Sequence, residues 1–169
     1  MKIKSYSHIG FNVRDMEAML DFYINVLGMK KKFVLTAKDM VTYSLQDTRE
    51  LSDNARMHLE AAKQMGDKPF MVYLEMAPRQ FVEFFYIYEP LKDQLPLQEC
   101  YGYQHLCIEV EDLEEAYRDI VSKGVVPDTE MEYAPDYTRQ FWVSDPEGNR
   151  IEIMEYTDKA FQLLGNWNP

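Results

Sequence analysis

His8-Ile-Gly-Phe-Asn-Val-Arg-Asp-Met-Glu and His105-Leu-Cys-Ile-Glu-Val-Glu-Asp-Leu-Glu decide how this chain is organised. The second stretch repeats the first at a constant offset of 97 residues. In both, a His leads a run with the alternation of a half-buried strand. An Asp follows seven residues later, placed to cap a helix. Met16, Met19, Leu20, Tyr23, Ile24 and Leu27 then form one helical stripe. Leu113, Ala116, Tyr117, Ile120 and Val121 form the other, and Gly28 and Gly124 are placed as stops.

Working outward, residues 32–36, 40–45, 70–76 and 80–88 read as strands, the last two joined by a turn at Ala77-Pro78-Arg79. In the second half, residues 104–110, 130–133, 138–144 and 150–156 read as strands, with a turn at Asp145-Pro-Glu-Gly-Asn. Each half therefore reads as β-α-β-β-β, the first with one strand more. The expected class is α+β, with one module over 1–98 and a second over 99–169. His8 and Glu83 are 75 positions apart, His105 and Glu152 only 47. The surplus of 28 falls near 48–68, where Leu51, Ala55, Leu59, Ala62 and Met65 suit a short helix ended by Gly66. Such an insertion is a surface packing helix or a wall over a pocket. The apolar tail, 161–169, is expected to dock on this subunit or on a partner.

His8, Glu83, His105 and Glu152 are the candidate metal ligands. Alternate residues of a strand share a face, so Glu83 is expected beside Phe81 and Phe85, and Glu152 beside Met154 and Tyr156. Ile151 and Ile153 then face the helix-packed core. A carboxylate between two Ile in an apolar strand needs a partner, because an unpaired buried charge is costly. Two His and two carboxylates at equivalent places in a repeat suggest one divalent metal site made by two half-sites. This mixed nitrogen and oxygen set suits Zn, Ni, Co, Mn or Fe(II). Glu75 is the rival to Glu83. Glu83 is preferred because its strand is the last of its half, as is that of Glu152.

Bulk properties narrow the function. The chain has 169 residues, is 46% hydrophobic and carries a formal net charge of −11. That charge argues against nucleic acid, whose binding rests on neutralising phosphates. No apolar run is long enough for a membrane span. The first residues lack the apolar stretch of a signal peptide, so the expected location is cytoplasmic. Cys100 and Cys107 lack a zinc or redox spacing and read as two buried reduced thiols. Tyr101, Tyr103, Tyr133 and Tyr137 are candidates for a pocket rim, and Arg139 for holding a substrate carboxylate.

Together, His8-Ile-Gly, Asp21-Phe-Tyr-Ile-Asn-Val-Leu-Gly-Met, His105-Leu-Cys-Ile-Glu-Val and Asp145-Pro-Glu-Gly-Asn-Arg-Ile-Glu resemble the vicinal oxygen chelate superfamily. That group includes glyoxalases, methylmalonyl-CoA epimerase, extradiol dioxygenases and fosfomycin-resistance proteins. The resemblance covers the chain apart from the insertion and the tail. It implies paired βαβββ modules curled into an open metal-binding barrel, one such domain overall. His8, Glu83, His105 and Glu152 match the His/Glu/His/Glu set of bacterial lactoylglutathione lyases, so the resemblance implies one divalent ion per site. It implies a small-molecule substrate, methylglyoxal detoxification, a homodimer, and glutathione as candidate co-substrate. The implied reaction converts a hemithioacetal or similar α-hydroxycarbonyl through an ene-diolate. Glu152 is favoured as the base and Glu83 comes second. Glutathione-using relatives commonly carry an Arg four residues after the first ligand, helping to hold the substrate. This chain has Asn12 there, which keeps open an epimerase or isomerase acting on another substrate. An Fe(II) extradiol dioxygenase is the further alternative.

Overall fold

A computed structural model of the chain describes residues 1–46, 53–87, 92, 95, 99 and 101–165. They divide into two compact units, Met1–Asp93 and Gln94–Pro169. In the first unit the repeat motif becomes β1 (His8–Val13) and α1 (Met16–Asp21), which runs on as a π-helical turn over Phe22–Val26. Then come β2 (Lys30–Thr36), α2 (Ala37–Gln46), α3 (Asp53–Met65), β3 (Pro69–Ala77) and β4 (Gln80–Tyr86). The second unit holds β5 (Leu106–Glu109), α4 (Leu113–Ser122), β6 (Glu132–Tyr133), β7 (Arg139–Ser144), β8 (Arg150–Glu155) and α5 (Phe161–Leu164).

The two units share one topology. Their sheets run β1-β4-β3-β2 and β5-β8-β7-β6. In each, the first strand pairs parallel with the last, and the remaining pairings are antiparallel. Among the described residues each of the two is an open four-stranded sheet. The expected caps are in place. Asp15 accepts from the Ala18 N–H at 3.0 Å, and Asp112 from the Glu115 N–H at 2.8 Å.

Alternation along the strands sets the core. Phe11, Val13, Val72, Leu74, Val82 and Phe84 are buried in the first sheet, with Met16, Met19, Phe22 and Tyr23 from the helical segment also buried. Tyr23 meets Phe84 edge-on at 4.9 Å. In the second sheet Phe141, Val143, Ile151 and Ile153 are buried with Leu113 and Ile120, and Tyr117 of α4 meets Phe141 at 5.0 Å. Ile151 and Ile153 thus face the core, which leaves Glu152 on the opposite side.

One segment departs from expectation. Residues 40–45, read above as a strand, lie in the helix α2. The reason is Thr36, whose side chain accepts from the Asp39 N–H at 3.1 Å while Asp39 accepts from the Thr36 N–H at 2.8 Å. This reciprocal box satisfies two orphan donors and starts a helix where alternation alone suggests a strand. The insertion is therefore a pair of helices. Gly66, at φ +60, ends α3. Leu51, Tyr88, Cys100 and residues 166–169 lie outside the described residues. The start of the tail docks on its own unit: the Phe161 N–H donates to the Asp136 carbonyl at 3.0 Å, and its ring meets Tyr137 at 5.1 Å. No described helix is long and apolar enough to cross a membrane.

Candidate metal centre

The parallel pairing of first and last strands builds a small polar site in each unit. In the first, β1 lies beside β4 with His8 opposite Phe81 and Gly10 opposite Glu83. This register brings His8 Nε2 to 3.5 Å from Glu83 Oε2. Glu83 is only 6% exposed, so its charge needs donors. One is Tyr73, opposite Glu83 on β3, whose hydroxyl hydrogen-bonds the carboxylate. Burial, this hydrogen bond and the Glu83 charge push the Tyr73 phenol up to about 12. The Tyr73 ring is edge-on to His8 at 5.7 Å and stacks on Phe33 at 4.5 Å.

The second unit repeats this plan with different chemistry. His105 Nε2 is 3.1 Å from Glu152 Oε2. Across the sheet, Cys107 and Trp142 take the places of Gly10 and Tyr73 on either side of the carboxylate. Trp142 is edge-on to His105 at 4.9 Å. Cys107 hydrogen-bonds Glu152. Cys107 corrects the expectation of a buried thiol. It is reduced and exposed as a residue, because strand parity puts it on the open face with Glu152. Its sulphur is nonetheless crowded. Desolvation first, then the Glu152 charge and hydrogen bond, push the thiol up to about 12. The turn feeding β8 is pinned by Asp145, which is 5% exposed. Its carboxylate accepts from the N–H groups of Glu147 at 3.0 Å and Asn149 at 2.9 Å.

The inserted helices touch this machinery in the first unit. Ala37, Ala61, Met65 and Phe70 form a buried cluster, against which Met40, Ala62, Met71, Phe85 and Tyr86 pack. Phe85 lies two residues from Glu83, and a Cβ on Gly10 would meet Glu83 Oε2 at 3.5 Å and the Phe85 ring at 3.6 Å. Gly10, Glu83 and Phe85 therefore share a face, and the insertion forms an apolar wall at one end of it.

The other expected residues fall as follows. Asn12 is exposed on β1, opposite Phe85. Arg139 has its guanidinium on Glu114 and, at 3.2 Å, on Glu155. Glu75 pairs with Lys32 at 3.0 Å, whose hydrogen bond holds the carboxyl below its ordinary range. Tyr133 is exposed, with Arg139 at 5.9 Å from its ring centroid. Sequence reading missed Tyr73 and Trp142. Their signal is a second constant offset: Tyr73 and Trp142 are 69 residues apart, as are Glu83 and Glu152.

Each unit offers donor types that a divalent ion takes. Each pair converges a ring nitrogen and a carboxylate oxygen. His105 Nδ1 is buried with no hydrogen-bond partner in the structure, so Nε2 is the nitrogen available on the open face. One pair supplies two protein ligands, whereas a zinc site takes three or four. Among the described residues no group of three or more His, Cys, Asp or Glu comes together.

A family model described as the Glyoxalase/Bleomycin resistance protein/Dioxygenase superfamily matches residues 5–153. Solved structures are similar at low identity. A glyoxalase family protein from Enterococcus faecalis is 18% identical, with 92% of this chain and all of that one covered, at a TM-score of 0.65. A lactoylglutathione lyase from Agrobacterium tumefaciens is 15% identical over 98% of this chain and all of that one, at 0.58. A superfamily member from Sphaerobacter thermophilus is 23% identical over 91% and 98%, at 0.55. At these identities the likeness speaks for the fold. No curated protein matches.

Proposed function

The chain belongs to the glyoxalase/bleomycin resistance protein/dioxygenase superfamily, and from that premise we propose that it is a metal-dependent lyase or isomerase of the glyoxalase I type. The observation that carries this reading is the doubled arrangement itself. In each unit a His at the start of the first strand or just before it faces a Glu on the last, 3.5 Å and 3.1 Å away, beside an edge-on aromatic ring. His8, Glu83, His105 and Glu152 would hold one divalent ion, the His8/Glu83 pair of one chain meeting the His105/Glu152 pair of a second in a homodimer. Two two-donor pairs then make the four ligands that such ions take.

When bound, the ion would supply Lewis-acid polarisation of two adjacent substrate oxygens, which acidifies the neighbouring C–H. The proteinaceous share is proton transfer. Glu152 takes the proton from one carbon and returns it to the next, a role worth about 10²–10⁴-fold. Two features favour Glu152 over Glu83. Glu83 is the more buried and accepts the Tyr73 hydroxyl, so it is held. Glu152 has the Cys107 thiol beside it, and an S–H is a weak donor. The two imidazoles serve as fixed ligands.

The test is thioester formation from methylglyoxal and glutathione by protein stripped of metal and reloaded separately with Ni, Co, Zn, Mn and Fe(II). Turnover with at least one metal, lost in Glu152→Gln, is the expected result. Bound metal without turnover would favour an epimerase or isomerase on a non-glutathione substrate. Asn12 and the apolar wall beside Phe85 support that second reading. Failure to bind metal would sink both.

A further inference from the structure

We propose that Arg150 recognises an anionic group, a carboxylate carried by the substrate a few bonds from the atoms presented to His105 and Glu152. This deepens the reading above and rests on it for the reacting end of the substrate, though not for the anion contact. Arg150 lies two residues before Glu152 on β8 and so shares its face. Its guanidinium carbon sits 4.2 Å from the centroid of the Trp142 ring. That ring is in turn edge-on to His105, so the cation is two ring contacts from the His105/Glu152 pair.

Three facts separate Arg150 from an ordinary surface cation. First, among the described residues no carboxylate lies within ion-pair distance of it, whereas Arg139 holds two. Second, the guanidinium carbon lies over the indole, and among the described residues no protein acceptor takes its N–H donors. A planar carboxylate takes a guanidinium fork with two parallel hydrogen bonds. The indole beneath also shields one side from water, which strengthens the contact. Third, the chain carries a net charge of −11, a field that repels an anionic ligand unless a cation is placed for it. The equivalent position in the first unit, 69 residues earlier, is Phe81. At this position the second unit has a cation where the first has an aromatic ring, so the two pairs would receive different ends of an asymmetric substrate.

The test uses the full chain with Trp167→Phe, which leaves Trp142 as its one tryptophan. The probes are methylthiopropionate and methylthiopropanol, which share a skeleton and differ in charge. Binding is followed by Trp142 fluorescence and by calorimetry, with the protein stripped of metal and loaded with zinc. The carboxylate is expected to bind about ten- to a hundredfold tighter, the worth of a hydrogen bond to a charged group. Arg150→Gln should abolish that preference, Arg150→Lys should keep part of it, and Arg139→Gln should leave it intact. Equal binding of the two probes overturns the proposal, as does absence of binding by either. So does a preference that survives Arg150→Gln and disappears in Arg139→Gln. A lost preference beside intact metal-dependent turnover defeats this inference alone. An intact preference in a protein that binds no metal defeats the preceding reading alone.

Discussion

Tyr73→Phe removes one O–H and nothing else. The ring keeps its stack on Phe33 and its edge contact with His8. Glu83, 6% exposed, then loses its hydroxyl donor and keeps His8 Nε2 at 3.5 Å. A hydrogen bond to a charged group is worth about 1.5–3 kcal/mol net. The remaining imidazole places the expected loss in the lower half of that range, about 2 kcal/mol. The assay is urea unfolding of the metal-free protein at neutral pH, with Glu83→Gln and the double variant completing a cycle. A coupling of about 1–2 kcal/mol is expected between the two positions, as for residues in one hydrogen-bond network. A Tyr73→Phe protein within about 0.5 kcal/mol of the parent, the range of neutral surface changes, would refute the argument. So would an additive cycle.

The remaining predictions concern pH and backbone. Tyr73 and Cys107 ordinarily ionise near 10.0 and 9.0, and both are pushed to about 12 in the folded chain. The folded state resists losing these protons, so their contribution is complete below pH 9 and disappears as pH rises towards 12. The urea midpoint should fall over that interval, with Cys107→Ser removing the lower part of the fall. Gly10→Ala should be tolerated, since its Cβ meets neighbours only at contact distances. It should raise stability by about 0.4–1 kcal/mol through the unfolded chain, read as a higher Tm. Asp145→Ala should cost about 1.5–3 kcal/mol by removing the buried carboxylate that accepts from the part-buried N–H groups of Glu147 and Asn149. Calorimetric unfolding measures the loss, and the His105 ring signals in NMR should shift as β8 loosens.

Much of the fold is written locally and so was legible. Asp15 and Asp112 announce helix starts through short side-chain contacts. The flanking Ile151 and Ile153 give the face of Glu152 by parity alone. Where two local signals compete, reading fails. At residues 40–45 alternation suggested a strand, but Thr36 and Asp39 three positions apart start a helix. Contacts set by register between distant strands are harder still. Tyr73 faces Glu83, and Trp142 faces Glu152, only because β3 and β7 align as they do. The engagement of Arg139 by Glu114 depends on where α4 lies against β7. No spacing in the chain encodes that.

The parallel pairing of first strand with last has a consequence in time. On a ribosome adding about 5–20 residues per second, His8 emerges roughly 4–15 s before Glu83 does. Until then the edge of β1 that will receive β4 presents unpaired N–H and C=O groups, open to wrong partners. The polar pair therefore forms last, as the closing contact of its unit. Closing a 75-residue span rather than a 47-residue one costs only about 0.4 kcal/mol more. The inserted helices thus burden the finished protein little, and their toll falls on the nascent chain, which must wait longer with an open edge.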